Sequence, residues 1–198
     1  MIQGKAVRRY RQPDKEIESL LVERWSPRSF SGRPVSQDDL TTLFEAARWA
    51  PSCYNEQPWR FLYAHRQSPH WERFFSLLAE GNQAWCAKAG VLLVLLSSRR
   101  FERNDKPNAS HSLDAGSAWQ NLALQATRMG LAAHAMAGFD KDKAVEELGV
   151  PEDFQVECMI AVGHPAPAEE LPEKLREREK PSGRKAVSEF VREGNFDF

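Results

Sequence analysis

Apolar positions along the chain fall into blocks of two periods. Leu40, Leu43, Phe44 and Ala47 recur at helical spacing behind Ser36 and Asp39, a Ser-x-x-Asp variant of a capping box, and Pro51 stops the helix. A shorter helix is expected upstream, capped by Asp14, with Ile17, Leu20 and Leu21 on one face, broken by Pro27 and Pro34. Trp59 to Ala64 reads as a strand. Ser68-Pro69 opens a third helix, with Trp71, Phe74, Phe75 and Leu78 as its stripe and Gly81 just past its end. Val91 to Leu96 is continuously apolar, the pattern of a strand buried on both faces. Ser112 to Met129 predicts the longest helix, carrying Leu113, Trp119, Leu122, Ala126 and Met129 and closed by Gly130. Leu131 to Met136 is a strand, and Lys141 to Leu148 a short helix ended by Gly149 and Pro151. Phe154, Val156, Cys158, Ile160 and Val162 alternate with their neighbours, which predicts a half-buried strand with these five on one face.

Helices interleaved with about four strands predict an α+β fold, a central sheet flanked by helices. A length of 198 residues suits a single domain over 1–198. From Pro165 the character changes, with scattered prolines among dense charge. Val187, Phe190, Val191, Phe196 and Phe198 are apolar anchors that a solvated tail does not need. Residues 165–198 therefore read as an extended arm lying on another surface.

Composition narrows the function classes. Twenty-seven basic residues against 28 acidic give a net charge of -1, so no basic excess points to nucleic acid or to an anionic membrane. The apolar run at Val91 is far too short to span a bilayer, and the N-terminal MIQGKAVRRYRQPDKE has no apolar core of a signal peptide. Cys53, Cys86 and Cys158 lack zinc-site spacing, and an odd count argues against a disulfide framework. These features predict a soluble, cytoplasmic protein without a metal site.

Candidate chemistry lies at a few points. In ERWSPRSF, Arg24, Ser26 and Arg28 recur every second residue in a stretch that Pro27 holds extended. Alternation puts two guanidiniums and a hydroxyl on one side, a set suited to phosphate oxygens; the plainer account is solvated surface arginines. In APSCYNEQPWRF, a row of amides and hydroxyls (Ser52, Asn55, Gln57) separates a helix from a strand. It could satisfy loop backbone, or hold a ligand rich in hydroxyls and ring heteroatoms. Cys53 has no histidine near it in sequence and reads as a small loop residue. Asn82 follows the third helix, and Gly138 in AHAMAGFD permits a close backbone approach. His134 reads as a strand histidine with a local partner. Arg178 to Phe190 is basic after an acidic run.

Taken in order, RWSPR, then PSCYNEQPW, then GN, AGFD and a late basic segment resemble the nitroreductase family of FMN-dependent oxidoreductases, over nearly the whole chain. The resemblance implies a mostly antiparallel sheet and a homodimer with FMN at the subunit interface, the C-terminal arm reaching onto the partner subunit. It matches Arg24, Ser26 and Arg28 to positions holding FMN phosphate and ribityl, and Trp25 to a position touching the same cofactor. Pro51, Ser52, Cys53 and Asn55 match the cradle supplied by the other subunit. Asn82 matches a contact to the isoalloxazine edge, and Ala137 and Gly138 a pair beside the ring, where a glycine N–H donates to flavin N5. Arg184 and Ser182 match the late segment that returns to the phosphate. Two departures stand out: Ala137 replaces a usual Glu or Gly, and Ala186 a usual proline. The implied activity is hydride transfer from NAD(P)H through flavin to nitroaromatic, quinone or similar planar acceptors, with no side-chain nucleophile. A flavin store or sensor without turnover, or a flavin-dependent dehalogenase, is the alternative on the same motifs.

Overall fold

The computed structural model describes residues 4–198. Four antiparallel strands form one sheet in the order β1-β2-β4-β3, with β1 at Trp59–His65, β2 at Val91–Ser98, β3 at Ala132–Met136 and β4 at Phe154–Gly163. β2 and β4 are therefore central, and β1 and β3 are the edges. In β2, Leu92, Val94 and Leu96 face one layer, while Val91, Leu93 and Leu95 face the other. A strand covered on both sides has no polar face to show, which is why its sequence lacks alternation.

One layer holds α2 (Gln37–Arg48) and α5 (His111–Arg128), packed through Leu40, Leu43, Ala118 and Leu122. The other holds α3 (Trp71–Phe75) and α4 (Glu80–Cys86), with Phe74, Trp85 and Cys86 buried, and Ala144 of α6 (Lys141–Leu148). Ser36 caps α2 through the Asp39 N–H at 3.0 Å, and the return bond of the expected capping box runs from the Ser36 hydroxyl to the Asp39 carboxylate at 2.8 Å, side chain to side chain.

Three expectations need correction. The first helix, α1, covers Ser19–Glu23, and Glu18, not Asp14, accepts from the Leu20 N–H. Val22 is its buried residue, while Ile17 and Leu21 are half exposed. The segment is too short for the stripe to govern it. Gly81 ends no helix: the chain turns at Ser76–Ala79 and Gly81 lies in the first turn of α4, which the sequence pattern missed. The third correction concerns β4. Its register shifts between Leu95 and Leu96 of β2, leaving Glu157 as an extra, bulged residue. Val156 consequently packs with Met159 and Ala161 in one layer, while Cys158, Ile160 and Val162 face the other. The five residues expected on one face are divided between two.

α7 covers Glu173–Arg176 in the C-terminal segment. This segment first packs on its own chain. Ala166 N–H bonds Ser29 at 2.9 Å, and Leu171, Glu179 and Pro181 are buried. Val187, Phe190, Val191, Phe196 and Phe198 are all more than half exposed. Among the described residues no helix is long and apolar enough to cross a membrane.

Phe30 is carried inward where its strip pairs with Pro165, and it packs near Gly163 at the end of β4. A Cβ on Gly163 would sit 2.8 Å from the Phe30 ring and 3.1 Å from the Gly90 nitrogen. Gly163→Ala should therefore destabilise the fold by about 1–3 kcal/mol, read as a lowered urea midpoint at unchanged slope.

Candidate functional site

The strip Arg24–Phe30 leaves α1 and runs beside edge strand β3. Arg24 is extended at φ -65°, ψ 121° as the α1 helix ends. Pro27, Ser29 and Phe30 are buried, while Arg24, Ser26 and Arg28 are half exposed. The expected alternation holds, and Arg24 Nη1 donates to Ser26 Oγ at 3.2 Å. Trp25, between them, is half-buried.

Two charged residues that the sequence reading passed over fix this strip. Arg11 is 8% exposed. Its Nη1 donates to the carbonyls of Val22 (3.0 Å) and Arg24 (2.5 Å), and its Nε to that of Ser182 (2.8 Å). Glu179 is 6% exposed. Its carboxylate accepts the Arg28 N–H (2.8 and 3.0 Å) and the Ser29 N–H (2.9 Å). No periodicity marks Arg11 in RRYRQPDKE or Glu179 in a dense charge run, because each acts through backbone groups that composition does not reveal.

The same contacts bring Arg184 to the strip. Burial, then the charges of Arg184 and Arg24, lower the Arg11 pKa to about 10. Burial and Arg184 lower that of Arg24. Arg184 itself is exposed, and its Nη1 donates to Ser182 Oγ at 3.3 Å. Among the described residues none of Arg11, Arg24, Arg28 and Arg184 forms an ion pair.

From the strip a chain of contacts leads to the end of β3. His134 Nδ1 lies 3.0 Å from the Pro27 carbonyl, so it is the protonated nitrogen and donates. Its ring packs on Trp85, 4.6 Å between centroids. Trp85 Nε1 donates to Asn82 Oδ1 at 3.2 Å, and Asn82 Nδ2 to the Gly138 carbonyl at 2.8 Å. A Cβ on Gly138 would lie 2.7 Å from Asn82 Nδ2, so any larger residue there would push the Asn82 amide aside. Ala137 and Gly138 are exposed, and the Gly138 N–H has no acceptor among the described residues.

The row Pro51–Gln57 sits elsewhere, ahead of β1 at the opposite edge of the sheet. Tyr54, Asn55 and Gln57 have φ of 53°, 57° and 52°, the left-handed region that non-glycine residues avoid. Hydrogen bonds hold them there. Ser52 Oγ accepts the Gln57 N–H (3.0 Å), and buried Asp114 of α5 accepts the Cys53 N–H (3.1 Å). Pro51 and Asn55 are exposed, and Ser52 and Cys53 half exposed. Three strand spacings, roughly 14 Å, separate β1 from β3. The structure thus gathers Arg24, Ser26, Arg28, Ser182, Arg184, Asn82 and Gly138 around one edge of the protomer, and leaves the Ser52–Asn55 row at the other.

The protomer is thus an α+β sheet with arginines at one edge that form no ion pair among the described residues, and a strained polar loop at the other. Comparison with known proteins agrees with that class. The sequence profile described as the Nitroreductase family matches residues 21–80 and 66–164, and the chain belongs to this family of oxidoreductase enzymes. A Streptomyces coelicolor protein provisionally named NADH dehydrogenase/NAD(P)H nitroreductase SCO7141 is 32% identical over 175 residues, covering 79% of this chain and 86% of that one. A crystal structure described as an oxidoreductase containing FMN superposes with a TM-score of 0.91 at 45% identity, over 94% of this chain and 96% of that one. A provisionally named nitroreductase from Desulfovibrio desulfuricans, in complex with FMN, superposes at 0.70 with 26% identity, over 90% and 96%.

His134 supplies a pH test. Burial, then the nearby Arg28 and Arg24 charges, outweigh its bond to Pro27 and lower its pKa from 6.5 to about 4. The folded protein holds the neutral ring, so stability is full above pH 6.5 and declines as pH falls from 6.5 towards 4. Between pH 7.5 and 5 the loss attributable to His134 should be about 2 kcal/mol. Urea unfolding at the two pH values should show it, and His134→Gln should remove most of the difference.

Proposed function

We propose that the protein is an FMN-dependent oxidoreductase passing hydride from NAD(P)H, through flavin, to planar acceptors such as nitroaromatics and quinones. The observation that carries this reading is the arginine cluster, which forms no ion pair among the described residues and is connected through the Pro27 carbonyl, His134 and Trp85 to the Asn82–Gly138 corner. Like charges held together are costly, and a phosphate dianion relieves them. The corner also fits a flat ring edge: the Gly138 carbonyl is taken by the Asn82 amide and the Ala79 N–H, and the exposed Gly138 N–H has no acceptor among the described residues.

When bound, FMN supplies the hydride and electron chemistry, and the chain supplies binding and orientation. In this reading Arg24, Ser26, Arg28, Ser182 and Arg184 hold phosphate and ribityl, with Trp25 against the same group. Asn82, Ala137 and Gly138 line the ring edge. Pro51, Ser52, Cys53 and Asn55 serve the flavin of a second copy. Their place at the far edge of the sheet supports a cofactor lodged between two protomers. So do the exposed Val187, Phe190, Val191, Phe196 and Phe198, which suit a partner's surface. Names of the relatives support NAD(P)H as the donor.

Four outcomes test this. Purified protein should be yellow and release FMN, not riboflavin or FAD, on heating. Sedimentation should give about twice the chain mass. Arg24→Ala or Arg184→Ala should weaken FMN binding about tenfold to a hundredfold while leaving the fold intact by circular dichroism. Steady-state rates with NAD(P)H and a quinone or nitroarene should give parallel double-reciprocal lines, because donor and acceptor use one flat face in turn. Flavin that NAD(P)H reduces, but that no acceptor other than oxygen reoxidises, would favour a flavin store instead.

A further inference from the structure

Arg11 and Glu179 belong to none of the groups assigned above, yet both are more than nine-tenths buried. Arg11 grips Val22 and Arg24 on one side and Ser182, 171 residues along the chain from it, on the other. Its partners are carbonyls, which satisfy its donors without cancelling its charge. Glu179 makes the second join, from the C-terminal segment to the Arg28 and Ser29 amides. Two residues past the Ser182 join the segment brings Arg184 to the strip, where its charge acts on both Arg11 and Arg24. Beyond Pro181 the segment has no buried residue.

We propose that Arg11 is a positioning residue that couples anion binding at the arginine cluster to docking of the C-terminal strap, residues 178–184. The inference rests on the flavin reading for the identity of the anion as the FMN phosphate. Without an anion, the mutual repulsion of Arg11, Arg24 and Arg184 opposes the two joins. With a dianion among them, the same charges favour docking. Coupling is reciprocal, so whatever stabilises the docked strap tightens the anion, and the anion tightens the strap.

The test is amide hydrogen exchange on flavin-free protein at low ionic strength, read at Arg28, Ser29 and 178–182. Inorganic phosphate, FMN and riboflavin are the three additions. FMN and phosphate should slow exchange at these amides about tenfold or more, and riboflavin, lacking the phosphate, should not. Arg11→Met should raise the FMN dissociation constant about tenfold to a hundredfold, leave that of riboflavin unchanged, and keep the strap amides fast even at saturating FMN. Arg184→Met provides a readout of opposite sign: with one charge removed, exchange in the flavin-free protein should slow while FMN binding weakens. This second variant decides the matter should Arg11→Met fail to fold. Strap exchange insensitive to both FMN and phosphate, or parent-like FMN affinity in Arg11→Met, overturns the coupling. Phosphate that slows the strap in a protein that binds no FMN removes the flavin reading and upholds the coupling.

Discussion

Arg11 is held by carbonyl oxygens and not by acids, and the β3 side of the molecule depends on that choice. A carboxylate partner would neutralise the guanidinium and leave a conventional buried ion pair. Three carbonyls hold it as firmly and leave its charge in place. Glu179 behaves in the complementary way, directing its carboxylate to backbone amides of the strip. Two buried charges of opposite sign thus brace the same segment, each through main-chain groups and not through an ion pair with the other.

The protomer separates its polar chemistry by sheet edge. Beside β3 the groups are cationic and linked by short contacts from Arg24 to Gly138. Beside β1 the hydroxyl and amides of Ser52, Asn55 and Gln57 sit on strained backbone, with Asp114 and Ser52 maintaining left-handed Tyr54, Asn55 and Gln57. Both arrangements are preorganised. One stores like-charge repulsion, the other torsional strain, and each is tolerated because buried hydrogen bonds fix the surrounding chain.

Much of this was legible in the residues, for identifiable reasons. The alternation RWSPRSF translated directly into three outward polar side chains because Pro27 permits little else. Long elements such as β2 and α5 follow from burial pattern alone. Short ones did not: α1 and α4 span five and seven residues, too few for a stripe to outweigh tertiary contacts. Gly81 read as a helix end because glycine signals termini statistically, whereas here it lies in the first turn of α4. Motif order singled out Asn82 and Gly138 as candidates, but their contact, a side-chain amide 2.7 Å from where a Cβ would stand, is a distance no sequence contains. Arg11 and Glu179 were illegible for the same reason, since main-chain partners leave no trace in residue type.

The bulge at Glu157 illustrates how one residue can set the identity of a whole strand end. On its far side Cys158, Ile160 and Val162 address one helical layer, while before it Val156 addresses the other. The extra residue acts as a phase shifter, letting a single strand speak to two cores and turning Glu157 towards Ser97 and Ser112 at the rim. The surplus is confined to that one position. With Glu157 removed, Val156 and Cys158 would follow one another in a regular ladder and each would keep its present face, so β4 carries one residue that its pairing with β2 can spare.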